Sequence, residues 1–177
     1  MQASFQTTIA DALGASIQHV FSSMMQLSTG VGVPTEKCGP LDAEAAATIR
    51  VSGDLDGWIT LCFPIGTARR CVARLTGQDL EPASPDFADA LGEIANMVCG
   101  SAKATLATHD AHDTHDVHDV HDASISPPSV TLGWKLTPTP LHPTLLIPCT
   151  TPCGDLAIAF SITTRKNKKP DASKQAA

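Results

Sequence analysis

Glu93 and Asn96 stand three residues apart in the segment Asp89-Ala-Leu-Gly-Glu93-Ile-Ala-Asn96-Met-Val-Cys-Gly100-Ser-Ala-Lys103. On an α-helix that spacing makes a carboxylate and an amide neighbours on one side of the cylinder. On spacing alone, such a pair is the ordinary wet face of an amphipathic helix. A second concentration of reactive groups follows, where residues 109–123 repeat His-Asp-x five times and contain five of the seven histidines. Neutral imidazole and carboxylate are good ligands for zinc, nickel or copper, which makes His109, His112, His115, His118 and His121 the candidate metal ligands. The repeat offers many overlapping ligand sets and fixes none of them. The expectation is an expanded surface loop whose charge responds to pH in the histidine range, with no metal of the protein's own.

The element that positions Glu93 and Asn96 has a legible start. Ser84 reads as an N-cap and Pro85 as the first helical residue, where the missing N–H is harmless. Phe87, Leu91, Ile94, Val98 and Ala102 then recur at helical steps and form an apolar stripe to be buried. Asp89, Glu93, Asn96, Gly100 and Lys103 follow the same period on the other side. Gly100 disfavours a helix interior by about 1 kcal/mol relative to alanine. Its presence suggests close approach of something to that face, either a docking partner or a neighbouring helix.

The rest of the chain supplies what this helix packs on. Residues 5–26 read as a long helix with Ile9, Leu13, Ile17, Val20, Phe21 and Met24 on one stripe and Thr7 or Thr8 as its cap. Gly30 to Pro40 reads as a connecting loop. Residues 48–52 and 58–63 read as an antiparallel hairpin, with Gly53-Asp54-Leu55-Asp56-Gly57 as its turn. A short helix over Thr67 to Leu75 stops at Gly77. Beyond the repeat, short strands are expected at residues 130–133 and 145–147, with Pro138 to Pro143 as a proline-rich link. A last strand is expected where Leu156, Ile158, Phe160 and Ile162 alternate with smaller residues. Two long helices, one short helix and several strands joined mostly by short turns predict an α+β fold, a largely antiparallel β-sheet packed with the two long helices.

A chain of 177 residues with 42% hydrophobic content supports one domain with a real core. That domain is expected over residues 1–164, with 109–123 as an insert and 165–177 as a basic, disordered tail. The net charge is −6 although the tail is basic, so the body is acidic, which argues against nucleic-acid binding. No apolar run is long enough to span a membrane and no secretion signal is legible, so a cytoplasmic protein is expected. The six cysteines sit mostly in apolar stretches and read as reduced packing residues.

Asp89-x3-Glu93-x2-Asn96-Met97-x2-Gly100, the segment from Gly53 to Pro64 and the order of elements together resemble the CheX branch of the CheC/CheX/FliY chemotaxis phosphatases. The resemblance covers roughly residues 5–163. Its specific part is the helix motif, an acid, a Glu four residues on and an Asn three beyond, followed by a downstream proline. Pro127 or Pro128 supplies that proline if the His-Asp repeat is an insertion. A single copy of the Glu/Asn pair points to the CheX type, whereas CheC and FliY relatives typically carry two.

The resemblance implies hydrolysis of the aspartyl phosphate on a CheY-like receiver domain. Asn96 would hold the attacking water, and Glu93 would dock to the receiver's active-site lysine. Asp89 would support the helix start. The Mg2+ would belong to the receiver, and the phosphatase would form a homodimer. Two other functions are compatible with the same residues. One is a non-catalytic receiver-binding or dimerisation module of this fold, and the other is a metal-binding protein built on the repeat.

Overall fold

The computed structural model describes residues 2–109, 123–133 and 144–164. Helix α1 (Gln2–Met25) begins earlier than Thr7 or Thr8, so neither threonine caps it, and the Thr8 hydroxyl donates back to the Ser4 carbonyl inside the helix. Its buried stripe is Ile9, Leu13, Ile17, Val20 and Phe21, continued by Met25 and not by Met24, which is 53% exposed. A stripe extrapolated from a fixed step drifts around the cylinder, and the last turn is where the drift shows.

The segment from Gly30 to Pro40 is not wholly a loop. It contains strands β1 (Gly30–Val31) and β2 (Thr35–Lys37), both pairing antiparallel with a later strand, β7 (Thr144–Thr151). The hairpin expected next is present as β3 (Ala45–Ser52) and β4 (Leu55–Phe63), in register from Ala45 opposite Phe63 to Val51 opposite Gly57. Its turn is tighter than expected, because β4 already starts at Leu55. Gly53, at φ 104°, makes the sharp reversal that a side chain would resist. Asp56 is thus a strand residue, and its carboxylate accepts a hydrogen bond from the Arg50 guanidinium at 2.9 Å.

Helix α2 (Ile65–Thr76) follows Pro64, which has no capping side chain. Glu44, immediately before β3, supplies the cap, its carboxylate accepting from the Ile65 N–H at 2.9 Å. Gly77 ends the helix in the left-handed conformation, with its N–H donating to the Ala73 carbonyl. Helix α3 (Pro85–His109) comes next, followed after the repeat by β5 (Ser124–Ile125) and β6 (Ser129–Leu132), both on the edge of β3. Strand β8 (Gly154–Thr164) lies between β7 and β4.

The sheet order is β1-β7-β8-β4-β3-β5, with β2 also on β7 and β6 also on β3, and every pairing is antiparallel. The three helices share one core with Ile49, Leu61, Phe63, Ile158 and Phe160 on one face of the sheet. On the other face Leu41, Ala43, Cys62 and Ala159 form a second, small cluster beside Trp58. Ala159 and Ser161 are therefore buried as well, and β8 is a central strand covered on both sides rather than the half-buried one its alternation suggests. This is the α+β fold expected from the sequence, with α1 and α3 as its two long helices. Among the described residues no helix is long and apolar enough to cross a membrane. The basic tail, the proline-rich link and residues 110–122 of the repeat lie outside the described residues.

Candidate functional site

Helix α3 is held in place by its cap and its buried face. The Ser84 hydroxyl accepts a hydrogen bond from the Phe87 N–H at 3.2 Å, the N-cap bond read from the sequence. Phe87, Leu91, Ile94 and Val98 have no exposed surface at all, and Ala95, Cys99 and Ala102 widen the buried stripe. Burial of each large side chain stabilises by about 1.5–3 kcal/mol, so the outer face rides on a platform that does not shift easily. α3 packs on α1, α2, β3 and β6.

Asp89, Glu93 and Asn96 all emerge on the exposed side. The Asn96 amide donates to the Glu93 carboxylate at 3.5 Å, the outer limit of a hydrogen bond, so the two are neighbours without holding one another rigidly. Among the described residues neither Asp89 nor Glu93 takes part in an ion pair; those present are Lys37–Asp42, Arg50–Asp56 and Arg69 with Asp79 and Glu81. The face thus presents to solvent a carboxylate with no cation partner among the described residues and an amide held to it only by that long contact, an acceptor for a cation beside a group that both donates and accepts. Asp89 lies one turn before Glu93, and the capping bond belongs to Ser84.

Two glycines interrupt α3, and they differ. Gly92 is buried, and a Cβ built on it would meet Pro128 Cγ at 3.0 Å and Val130 Cγ2 at 3.5 Å. The segment between β5 and β6 therefore seats on the helix directly beside Glu93, and Pro128, not the exposed Pro127, is the proline that touches it. The seat is built from the sheet: the Ser126 hydroxyl accepts from the Arg50 N–H at 3.0 Å, and the Ser126 N–H donates to the Arg50 carbonyl. Gly92 was not singled out by sequence reasoning, although a glycine at a buried helical phase was the available signal. At Gly100, by contrast, a Cβ would meet nothing within 4 Å among the described residues. Internal helix packing does not account for that glycine. Lys103 leaves the exposed face, being half-buried and lining a small cavity of about 30 Å³ with Leu13, Cys99 and Leu106.

All six cysteines are free, and five are buried, as expected of packing residues; Cys38 is the exposed one. Burial pushes the thiols of Cys62, Cys71, Cys99 and Cys149 up to about 12, far from nucleophilic reactivity at neutral pH. Cys71 is raised further by its neighbour Cys153, which brings α2 and the β7–β8 turn together. Among the described residues no group of three or more His, Cys, Asp or Glu side chains is placed to hold a metal ion. His109 ends α3, its side chain and the whole of His112, His115, His118 and His121 lying outside the described residues.

Comparison with known proteins bears on this arrangement. The chain is similar in structure to the chemotaxis protein CheX of Desulfovibrio desulfuricans, with a TM-score of 0.75 and 25% identity over 88% of this chain and 99% of that one. It shares its fold with CheX of Vibrio vulnificus, at a TM-score of 0.73 and 21% identity over 88% and 99% of the two chains. It also shares its fold with a chain of the CheX–CheY–BeF3–Mg2+ complex of Borrelia burgdorferi, at a TM-score of 0.68 and 18% identity over 86% and 96%. No curated protein matches the chain in sequence. The family described as chemotaxis phosphatase CheX matches residues 45–150, more than half of the chain and inclusive of all of α3. The chain belongs to the CheX family of chemotaxis phosphatases.

Proposed function

We propose that this protein hydrolyses the aspartyl phosphate of a CheY-like receiver domain, using Asn96 to position water and Glu93 to dock. The observation that carries the reading is the exposed pair itself: a carboxylate and an amide joined only by a long 3.5 Å contact, adjacent on the outer face of a helix whose inner face is fully buried. The Borrelia relative was solved with CheY and BeF3, which supports a receiver as the partner.

In the reaction, a water oxygen attacks phosphorus and the bond from phosphorus to the aspartate oxygen breaks. The products are inorganic phosphate and the free aspartate. Such a transfer needs little covalent work from a protein, and positioning with charge compensation suffices. Asn96 enters the receiver's active site, where its amide accepts from and orients the water in line with the breaking bond. Glu93 accepts a charge-assisted hydrogen bond from the receiver's lysine and so fixes the register in which Asn96 reaches the phosphoryl group. Charge on the phosphoryl oxygens is neutralised by a Mg2+ ion that the receiver holds. Asp89 adds negative potential at the same face, which favours a basic rim on the partner.

The test is release of phosphate from a phosphorylated receiver with and without the full chain. Acceleration supports the reading. Binding of the receiver at an unchanged rate would replace it with the non-catalytic module of the same fold. The homodimer belongs to this proposal too, with the short strands at the sheet edges as its pairing surface, and light scattering of the full chain decides it.

A further inference from the structure

We infer that Gly100 is a clearance position, kept without a side chain so that the receiver seats low enough on α3 for Asn96 to reach the phosphoryl group. The inference rests on the receiver-docking reading above and names a residue that reading does not use.

The two glycines of α3 make the argument by contrast. Gly92 is explained inside the protein, since Pro128 occupies the space a side chain would take. Gly100 has no such explanation among the described residues, because a Cβ there would meet none of them within 4 Å. Glycine is a poor helix former, and the buried stripe of α3 runs past it through Ala102 to Leu106, so the fold alone would be better served by alanine. Among the described residues nothing else requires a glycine there, which leaves a docking partner as the constraint we infer.

Its place on the helix says what that is. At about 100° per residue, Gly100 falls between Glu93 and Asn96 around the axis, one turn beyond Asn96. It is directly in line with the pair. Asn96 has a short side chain, so inserting its amide into a recessed active site brings the receiver's surface against the α3 backbone nearby. A side chain at position 100 longer than that of Asn96 would meet the receiver first and hold the amide back. A turn further on, Ala104 is exposed and also short, and Lys103 turns aside to line the cavity against α1. The ridge formed by Glu93 and Asn96 therefore drops away toward the C-terminal end of the helix.

The experiment compares wild type with Gly100→Ala and Gly100→Leu in the full chain. Three readouts are taken: the thermal unfolding midpoint, the Kd for a CheY-type receiver loaded with beryllofluoride and Mg2+, and phosphate release from the phosphorylated receiver. Both variants are expected to unfold at or above the wild-type midpoint. Gly100→Leu should raise Kd by at least about tenfold and slow phosphate release at subsaturating receiver, with Gly100→Ala between it and wild type. A merely structural glycine would give the opposite pattern, a lowered midpoint with unchanged Kd, and that result overturns the inference. So does a stable Gly100→Leu variant that binds and turns over as wild type does. If wild type itself neither binds nor accelerates, the parent reading fails, and this one with it; failure confined to the variant comparison removes only the role of Gly100.

Discussion

Replacing Glu93 with alanine separates docking from folding, because the structure assigns that side chain almost nothing to do in the free protein. Among the described residues its one side-chain hydrogen bond is the 3.5 Å contact with Asn96 and it joins no ion pair, and the side chain is exposed. Alanine is also the better helix former, so the free energy of unfolding should move by no more than about 0.5 kcal/mol. Against a receiver the account is different. A hydrogen bond to a charged group contributes about 1.5–3 kcal/mol, which corresponds to a rise in Kd of roughly 10- to 150-fold. Glu93→Gln keeps an acceptor oxygen but loses the charge, and should fall between the two. The wild-type affinity should weaken with salt more steeply than that of either variant, since an exposed pair is screened within a Debye length of about 10 Å at 0.1 M. Fluorescence titration of the receiver at several salt concentrations, urea unfolding of each variant, and the dependence of rate on receiver concentration read these quantities. The expected pattern is a raised KM with the saturated rate largely retained. A lowered saturated rate at unchanged KM would refute the docking role and move Glu93 into the chemical step.

Two further predictions concern the scaffold. A Cβ at Gly57 would overlap the Ser161 carbonyl oxygen and lie 2.8 Å from Ile162 Cα, where β4 and β8 pair. Gly57→Ala should therefore destabilise by at least about 2 kcal/mol in urea unfolding; a loss below half of that would mean the two central strands separate more easily than their register suggests. The second concerns thiols. Burial holds Cys62, Cys71, Cys99 and Cys149 protonated up to about 12, against 9.0 for an unburied thiol. Their folded pKa values are raised, so the folded chain binds more protons between those limits, and stability, fully present below 9, should fall as pH rises through that window. Folded protein at pH 8 should react rapidly with a thiol reagent at Cys38 alone, and rapid labelling of any of the other five would contradict their burial.

Much of the site's support was legible in the sequence because it rests on local rules. Ser84-Pro85 marks the start of α3 through the cap alone, and the stripe from Phe87 to Ala102 names the buried face without reference to what covers it. The hairpin and Gly77 were legible for the same reason. What escaped depends on partners distant in the chain. β1 and β2 exist because β7 offers a free edge, and nothing in a Gly- and Pro-rich stretch announces that edge. Glu44 caps α2 from just before β3, and Pro128 reaches Gly92 across the repeat; both contacts need the sheet to be assembled. Asp56 read as a turn residue because Gly53 and Gly57 flank it, whereas one glycine turns the chain and the other makes room for β8. Helical phase placed Gly100 and Lys103 on one face, but only the surrounding elements decide that Gly100 stays open while Lys103 turns toward α1.

The central claim rests on the amide of Asn96. That side chain is exposed and its one hydrogen bond among the described residues is long, so Asn96→Ala should leave the unfolding free energy within about 0.5 kcal/mol of wild type. Receiver affinity should change little if Glu93 supplies the docking contact. The decisive measurement is the single-turnover rate of phosphate release from a phosphorylated receiver saturated with each protein. Losing the group that orients the water should reduce the acceleration by about 100-fold or more. A folded Asn96→Ala variant that releases phosphate as fast as wild type would contradict the account.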